Sequence, residues 1–204
     1  MDSGLSFKLH YDNIVSKANR QLGFIFKVAD EFRDPLCLRS LYCSLVRSTL
    51  ESNAVVWCPF YANWIARIEA VQRKFVRYAL RFLRWQDPTN LPPYEERCRL
   101  LSLEPLQFRR VVAQATFAAK LLIADIDCPS LLTQLNVYAP ERLLRQRGFL
   151  LLDSWSRNYA LHEPIRAISQ RFNEYSDLFD FNLSSDLFRH RLLNVFRTVG
   201  RNLN

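Results

Sequence analysis

VQRKFVRYALRFLR, residues 71–84, sets five cations among apolar neighbours: Arg73, Lys74, Arg77, Arg81 and Arg84 beside Phe75, Val76, Tyr78, Leu80, Phe82 and Leu83. Their spacing sorts them. Counting about 100° per residue from Arg67, the five cations fall within an arc of about 100°. Ile68, Val71, Phe75, Tyr78, Ala79, Phe82 and Leu83 take roughly the opposite side. The pattern predicts a helix from about Asn63 to Leu83, with one face for a core and the other a cationic ridge. Between Trp64 and Arg84, six basic residues meet one acid, Glu69, so this window carries +5 of the chain's +8. Such a ridge is either a solvated helix face or a seat for phosphates. An anionic membrane fits less well, because the apolar face is needed for the core.

Periodicity predicts helix on both sides of this segment. Ile14, Ala18, Leu22, Ile25 and Ala29 recur at three-to-four spacing from Tyr11 onward. Asp34-Pro35 places an N-cap before a proline at the first helical position, opening a helix to about Ser52. AVVW and Cys58-Pro59 follow. Asp87-Pro88 and Pro92-Pro93 read as a linker, residues 87–94. Beyond it come a short helix in YEERCRLLSL, a longer one from Glu104 to Ile123, and a short one in CPSLLTQL. Residues 136–158 lack periodicity and read as loop or docked extended chain. EPIRAISQRFNEY and SSDLFRHRLLNVFRTV close the chain as helices, the second capped by Ser184 or Ser185. Leu5, Phe7 and Leu9 alternate with polar residues, as on a strand left over from a longer domain. The fold class expected is all-α, with a short strand at the N-terminus.

Composition excludes several functions. With 204 residues, 49% hydrophobic, the chain is long enough to bury a core. Only four glycines are present, which disfavours glycine-rich phosphate loops. Cys37, Cys43, Cys58, Cys98 and Cys128 show no CxxC spacing, and His10, His162 and His190 show no HxxxH pair, so no zinc motif emerges. Free thiols and the lack of a signal peptide or long apolar run point to a cytoplasmic or nuclear setting. No nucleophile, acid–base or phosphate-loop motif assembles. Asp125 and Asp127 form a DxD better explained as a helix end than as a Mg²⁺ site. Glu95-Glu96 suit the first turn of a helix. Tyr61, Trp64, Trp85 and Tyr94 are either base stackers or core residues.

KANRQLG at 17–23, LYCSLVRSTLE at 41–51, VVWCP at 55–59 and IEAVQRKFVRY at 68–78 carry a further signal. Over residues 2–84 the chain resembles the region past the catalytic palm of non-LTR retrotransposon reverse transcriptases, the jockey-like group in particular. The likeness is weaker through LPPYEERCRLLSLEPLQFRR. One departure is Ser52-Asn53, standing where the family has an aromatic residue before VVW. The resemblance implies a palm-exit strand at 1–10, a thumb-like helical module at 11–86, the linker at 87–94, and a C-terminal helical region at 95–204. It implies an RNA-directed DNA polymerase as parent, whose Mg²⁺-binding aspartates lie upstream and are missing here, so this chain has no catalytic centre of its own. The partner implied is the backbone of an RNA–DNA or RNA duplex, together with the absent palm and fingers. The residues expected on phosphates are Arg67, Arg73, Lys74, Arg77, Arg81 and Arg84, with Lys17, Arg20, Arg109 and Arg110 beside them. The rival expectation is a helical fragment docking on another protein through Phe7 and AVVW.

Overall fold

The computed structural model describes residues 7–32, 34–83, 91–138, 148–152 and 163–202. Every regular element among them is helical: α1 (Lys8–Phe32), α2 (Pro35–Leu41), α3 (Ser48–Glu51), α4 (Ala54–Trp57), α5 (Ala62–Ala79), α6 (Tyr94–Leu100), α7 (Leu106–Leu122), α8 (Pro129–Leu132), α9 (Pro164–Asn173) and α10 (Ser185–Asn202). A π-helical segment, Tyr42–Arg47, joins α2 to α3, and a 3₁₀ turn, Leu80–Leu83, extends α5. The chain is all-α. The described residues form two compact units, one from 7–54 and 59–109, the other from 55–58 and 110 onward.

In the first unit α1 and α5 lie side by side and parallel. Tyr11 meets Trp64 with ring centroids 5.1 Å apart, Asp12 pairs with Arg67 at 2.8 Å, and Asn19 accepts from Lys74 at 3.0 Å. Phe26 stacks on Tyr78 at 4.1 Å. Asp12 and Asn19 are seven residues apart, as are Arg67 and Lys74, so contacts recur every two turns. Beneath this seam Ile14, Ala18, Leu22, Ile25 and Ala29 of α1 and Ile68, Val71, Phe75, Val76 and Ala79 of α5 are buried. Burying a side chain such as Leu22 or Phe75 contributes about 1.5–3 kcal/mol.

The π segment follows from its sequence. Leu38, Tyr42, Val46 and Leu50 are all fully buried, at a strict four-residue interval. On an α-helix such a stripe would wind by about 40° at each step. Hydrogen bonds that skip one more residue place more residues in a turn, which holds the four side chains on one face. Asp34 caps α2 as expected, accepting from the amides of Leu36 and Cys37 at 3.1 and 3.0 Å. With glycine scarce, left-handed positions at helix ends fall to Asn53, Ser102 and Ala124. Ser52-Asn53 is thus a tight turn between α3 and α4.

The second unit packs α7, α9 and α10 around Ala115, Ala118, Ile168, Phe172, Phe188 and Leu192. Phe149, Phe172, Phe179 and Phe188 meet edge to face or tilted within this core. Among the described residues one antiparallel bridge joins Val137 to Leu150; residues 139–147 and 153–158 of the stretch expected as loop or docked extended chain lie outside them. Ser184 caps α10 by accepting from the Leu187 amide at 3.3 Å.

Two expectations are corrected. Lys8 and Leu9 are helical rather than extended, and Leu9 is 79% exposed. The Phe7 carbonyl accepts from the Tyr11 amide at 2.9 Å, and Tyr11, buried against Trp64, anchors this first turn. The rest of the expected strand, residues 1–6, lies outside the described residues. The division also falls later than the 87–94 linker: residues 94–109 belong to the first unit. The reason is a buried polar network that ties α6 and the start of α7 to α5.

Candidate nucleic-acid interface

Gln72 is the hub of that network. It is fully buried on α5, accepts from the Tyr42 hydroxyl at 2.8 Å, and donates to the Tyr94 hydroxyl at 2.9 Å and the Glu104 carbonyl at 3.0 Å. Tyr42 lies flat on Phe75, centroids 4.1 Å apart. The Tyr94 hydroxyl donates in turn to Glu69, which is 5% exposed. The Glu69 carboxylate also accepts from the backbone amides of Leu106 and Gln107, at the N-terminus of α7. Burial, with Glu69 nearby, holds Tyr94 well above the ordinary phenol range. Burial raises Tyr42 likewise and pushes the Cys98 thiol up to about 11.

This network shapes the opposite face of α5. The single acid of the helix points inward and is engaged by a helix N-terminus, so no carboxylate of α5 interrupts the ridge. Arg73, Lys74, Arg77 and Arg81 are all exposed. Arg73 sits over the Tyr94 ring at 4.9 Å and Arg81 over Tyr78 at 5.4 Å. A guanidinium stacked on a ring is held in place while its in-plane N–H donors stay available to an anion. Lys17 and Arg20 are exposed on α1. Arg84 and Trp85 lie outside the described residues.

Three expected phosphate contacts are placed differently. Arg67 is exposed but pairs with Asp12 at 2.8 Å and lies 4.4 Å over Trp64, so its charge is already met. Arg109 forks onto Glu51, with one nitrogen at 2.9 Å, and reaches Glu104 at 3.6 Å. Burial works against its charged form, and the nearby acids Glu51 and Glu104 outweigh it, leaving the pKa raised. Arg110 is only 2% exposed, in the second unit beside Cys58. Neighbours in sequence, Arg109 and Arg110 are 100° apart on α7, and both are turned away from solvent.

Of the aromatic candidates among the described residues, two belong to the core and one does not. Trp64 and Tyr94 are buried, whereas Tyr61 is exposed beside Phe60. Ala54 and Trp57 of AVVW are buried and Phe7 is half-buried against Tyr11, while Val56 of the same run is 45% exposed. Asp125 accepts from the Ser185 hydroxyl at 2.5 Å, a structural role. Among the described residues no three His, Cys, Asp or Glu side chains gather in one place. No helix among them is long and apolar enough to cross a membrane. Comparison with protein-family models, curated proteins and solved structures returned no match.

Proposed function

We propose that the chain is a thumb-like part of a non-LTR retrotransposon reverse transcriptase that grips the sugar–phosphate backbone of a template–primer duplex through the α5 ridge. The observation that carries this reading is the segregation of charge on α5 and the 3₁₀ turn that extends it: Arg73, Lys74, Arg77 and Arg81 exposed outside, and the one carboxylate of α5 engaged inside. Contacts of this kind position a duplex without reading its sequence, as a polymerase sliding along any template needs. The chain supplies no catalytic residues in this reading; its part is to hold and orient.

The test is a salt titration of binding to a short RNA–DNA hybrid. Four phosphate contacts give a log–log slope of about −3.6. Replacing Arg77 and Arg81 together by Ala is expected to flatten the slope by about 2 and to weaken binding alike for unrelated sequences. Binding that is indifferent to salt, or a slope untouched by the double substitution, would refute the reading.

A further inference from the structure

The outer face of α1 poses a question that the ridge does not answer. Gly23 stands near the middle of this 25-residue helix, where glycine costs stability relative to alanine. Its φ is not positive, and a Cβ built there meets nothing within 4 Å. Neither backbone conformation nor internal packing calls for glycine. The next residue, Phe24, is 57% exposed. Arg20 and Lys27, four residues before and three after Phe24, are exposed on the same side, as is Lys17 two turns before. A helix backbone left bare, beside an exposed ring framed by cations, is a surface that admits a flat, anionic partner at close range.

We propose that Gly23 and Phe24 form a stacking seat for an unpaired nucleobase of single-stranded nucleic acid, with Arg20 and Lys27 on the flanking phosphates. An aromatic face with cations to either side is the combination that holds single strands irrespective of sequence. Glycine at the seat lets the sugar or base edge approach the helix more closely than any side chain would allow. The seat extends the nucleic-acid reading of the ridge, yet rests on Gly23 and Phe24 of α1 rather than on the cations of α5, and on a different conformation of the ligand.

The experiment compares oligo-dT with a blunt RNA–DNA hybrid, using the full chain and three variants: Phe24→Ala, Gly23→Ala and the Arg77→Ala/Arg81→Ala pair. Phe24→Ala is expected to weaken oligo-dT binding about tenfold, the loss of one base stack, and to leave hybrid binding unchanged. Gly23→Ala is expected to raise the melting temperature, because it improves helix propensity at an open site, and still to weaken oligo-dT binding several-fold. That pairing excludes misfolding as the cause. Oligo-dT binding that is equal in the wild type, Phe24→Ala and Gly23→Ala overturns the seat. So does Phe24-dependent self-association in sedimentation without an oligo-dT effect, which would make the face a contact between copies. If hybrid binding ignores salt and Arg77/Arg81 while oligo-dT binding still needs Phe24, the ridge reading fails and the seat stands.

Discussion

The Glu69 carboxylate accepts the backbone N–H of Leu106 at 2.9 Å, across 37 residues of sequence. It also accepts from Gln107 and Tyr94, so a buried charge is met by three donors, two of them at a helix N-terminus. Glu69→Gln keeps the shape but removes the charge, and is expected to cost about 1–3 kcal/mol in urea unfolding. Glu69→Ala should cost more, since it strands all three donors. A loss below a few tenths of a kcal/mol for both would show that α7 does not depend on this cap.

The tyrosines of the same network predict how stability changes in alkali. An unfolded tyrosine ionises near pH 10, whereas Tyr94 and Tyr42 keep their protons to higher pH, chiefly because they are buried. Above about pH 10 the native state therefore binds more protons than the unfolded state. Stability is complete below that pH and falls above it, by about 1.4 kcal/mol per pH unit for each tyrosine. Urea titrations across this range should give Tyr94→Phe a slope shallower by one such share, on top of a constant loss at neutral pH.

Arg67 and Asp12 give a sharper test of which cations face phosphates. Because Asp12 already neutralises Arg67, Arg67→Ala is expected to leave the salt slope of hybrid binding unchanged. Asp12→Ala frees that cation at the edge of the ridge and should steepen the slope by about 0.9. The same titrations check both.

Glycine has opposite meanings in the two units. A Cβ at Gly148 would collide with the amide of Asn173, whose side chain pairs with the Leu150 backbone through both Oδ1 and Nδ2 at 2.7 Å. Gly148→Ala is expected to destabilise by about 1–3 kcal/mol, and thermal melts read this directly. Gly23→Ala is the stabilising control.

What the sequence disclosed was what local chemistry controls. Asp34-Pro35 and the Ser184-Ser185 pair announced their helix starts, and the three-to-four spacing of α1 and α5 marked which faces are buried. The ridge was legible because its residues are ordered by their own helix. The partners of Glu69 and Gln72 were not, because they lie on α6, α7 and the π segment, and only packing brings them together. In sequence Glu69 counts as one negative charge against six positive ones. In the fold it faces away from them, and the arithmetic of the window understates how uniform the exposed surface is. Arg109 and Arg110 went astray for a related reason: a basic pair at a helix start looks solvent-directed until Glu51 and the second core are in place.

The hydrogen bonds from Arg67 to Asp12 and from Lys74 to Asn19 each span 55 residues. α1 and α5 therefore advance in step, and their surfaces share one phase. A residue inserted at the Ser52-Asn53 turn lengthens a connection and leaves that phase intact. A residue inserted between Asp12 and Asn19 would rotate the rest of α1 by about 100°, exchanging its buried stripe for its exposed one and carrying Arg20 out of line with α5. Length variation in this protein is thus tolerable at its turns and ruinous within α1, whatever the identity of the residue added.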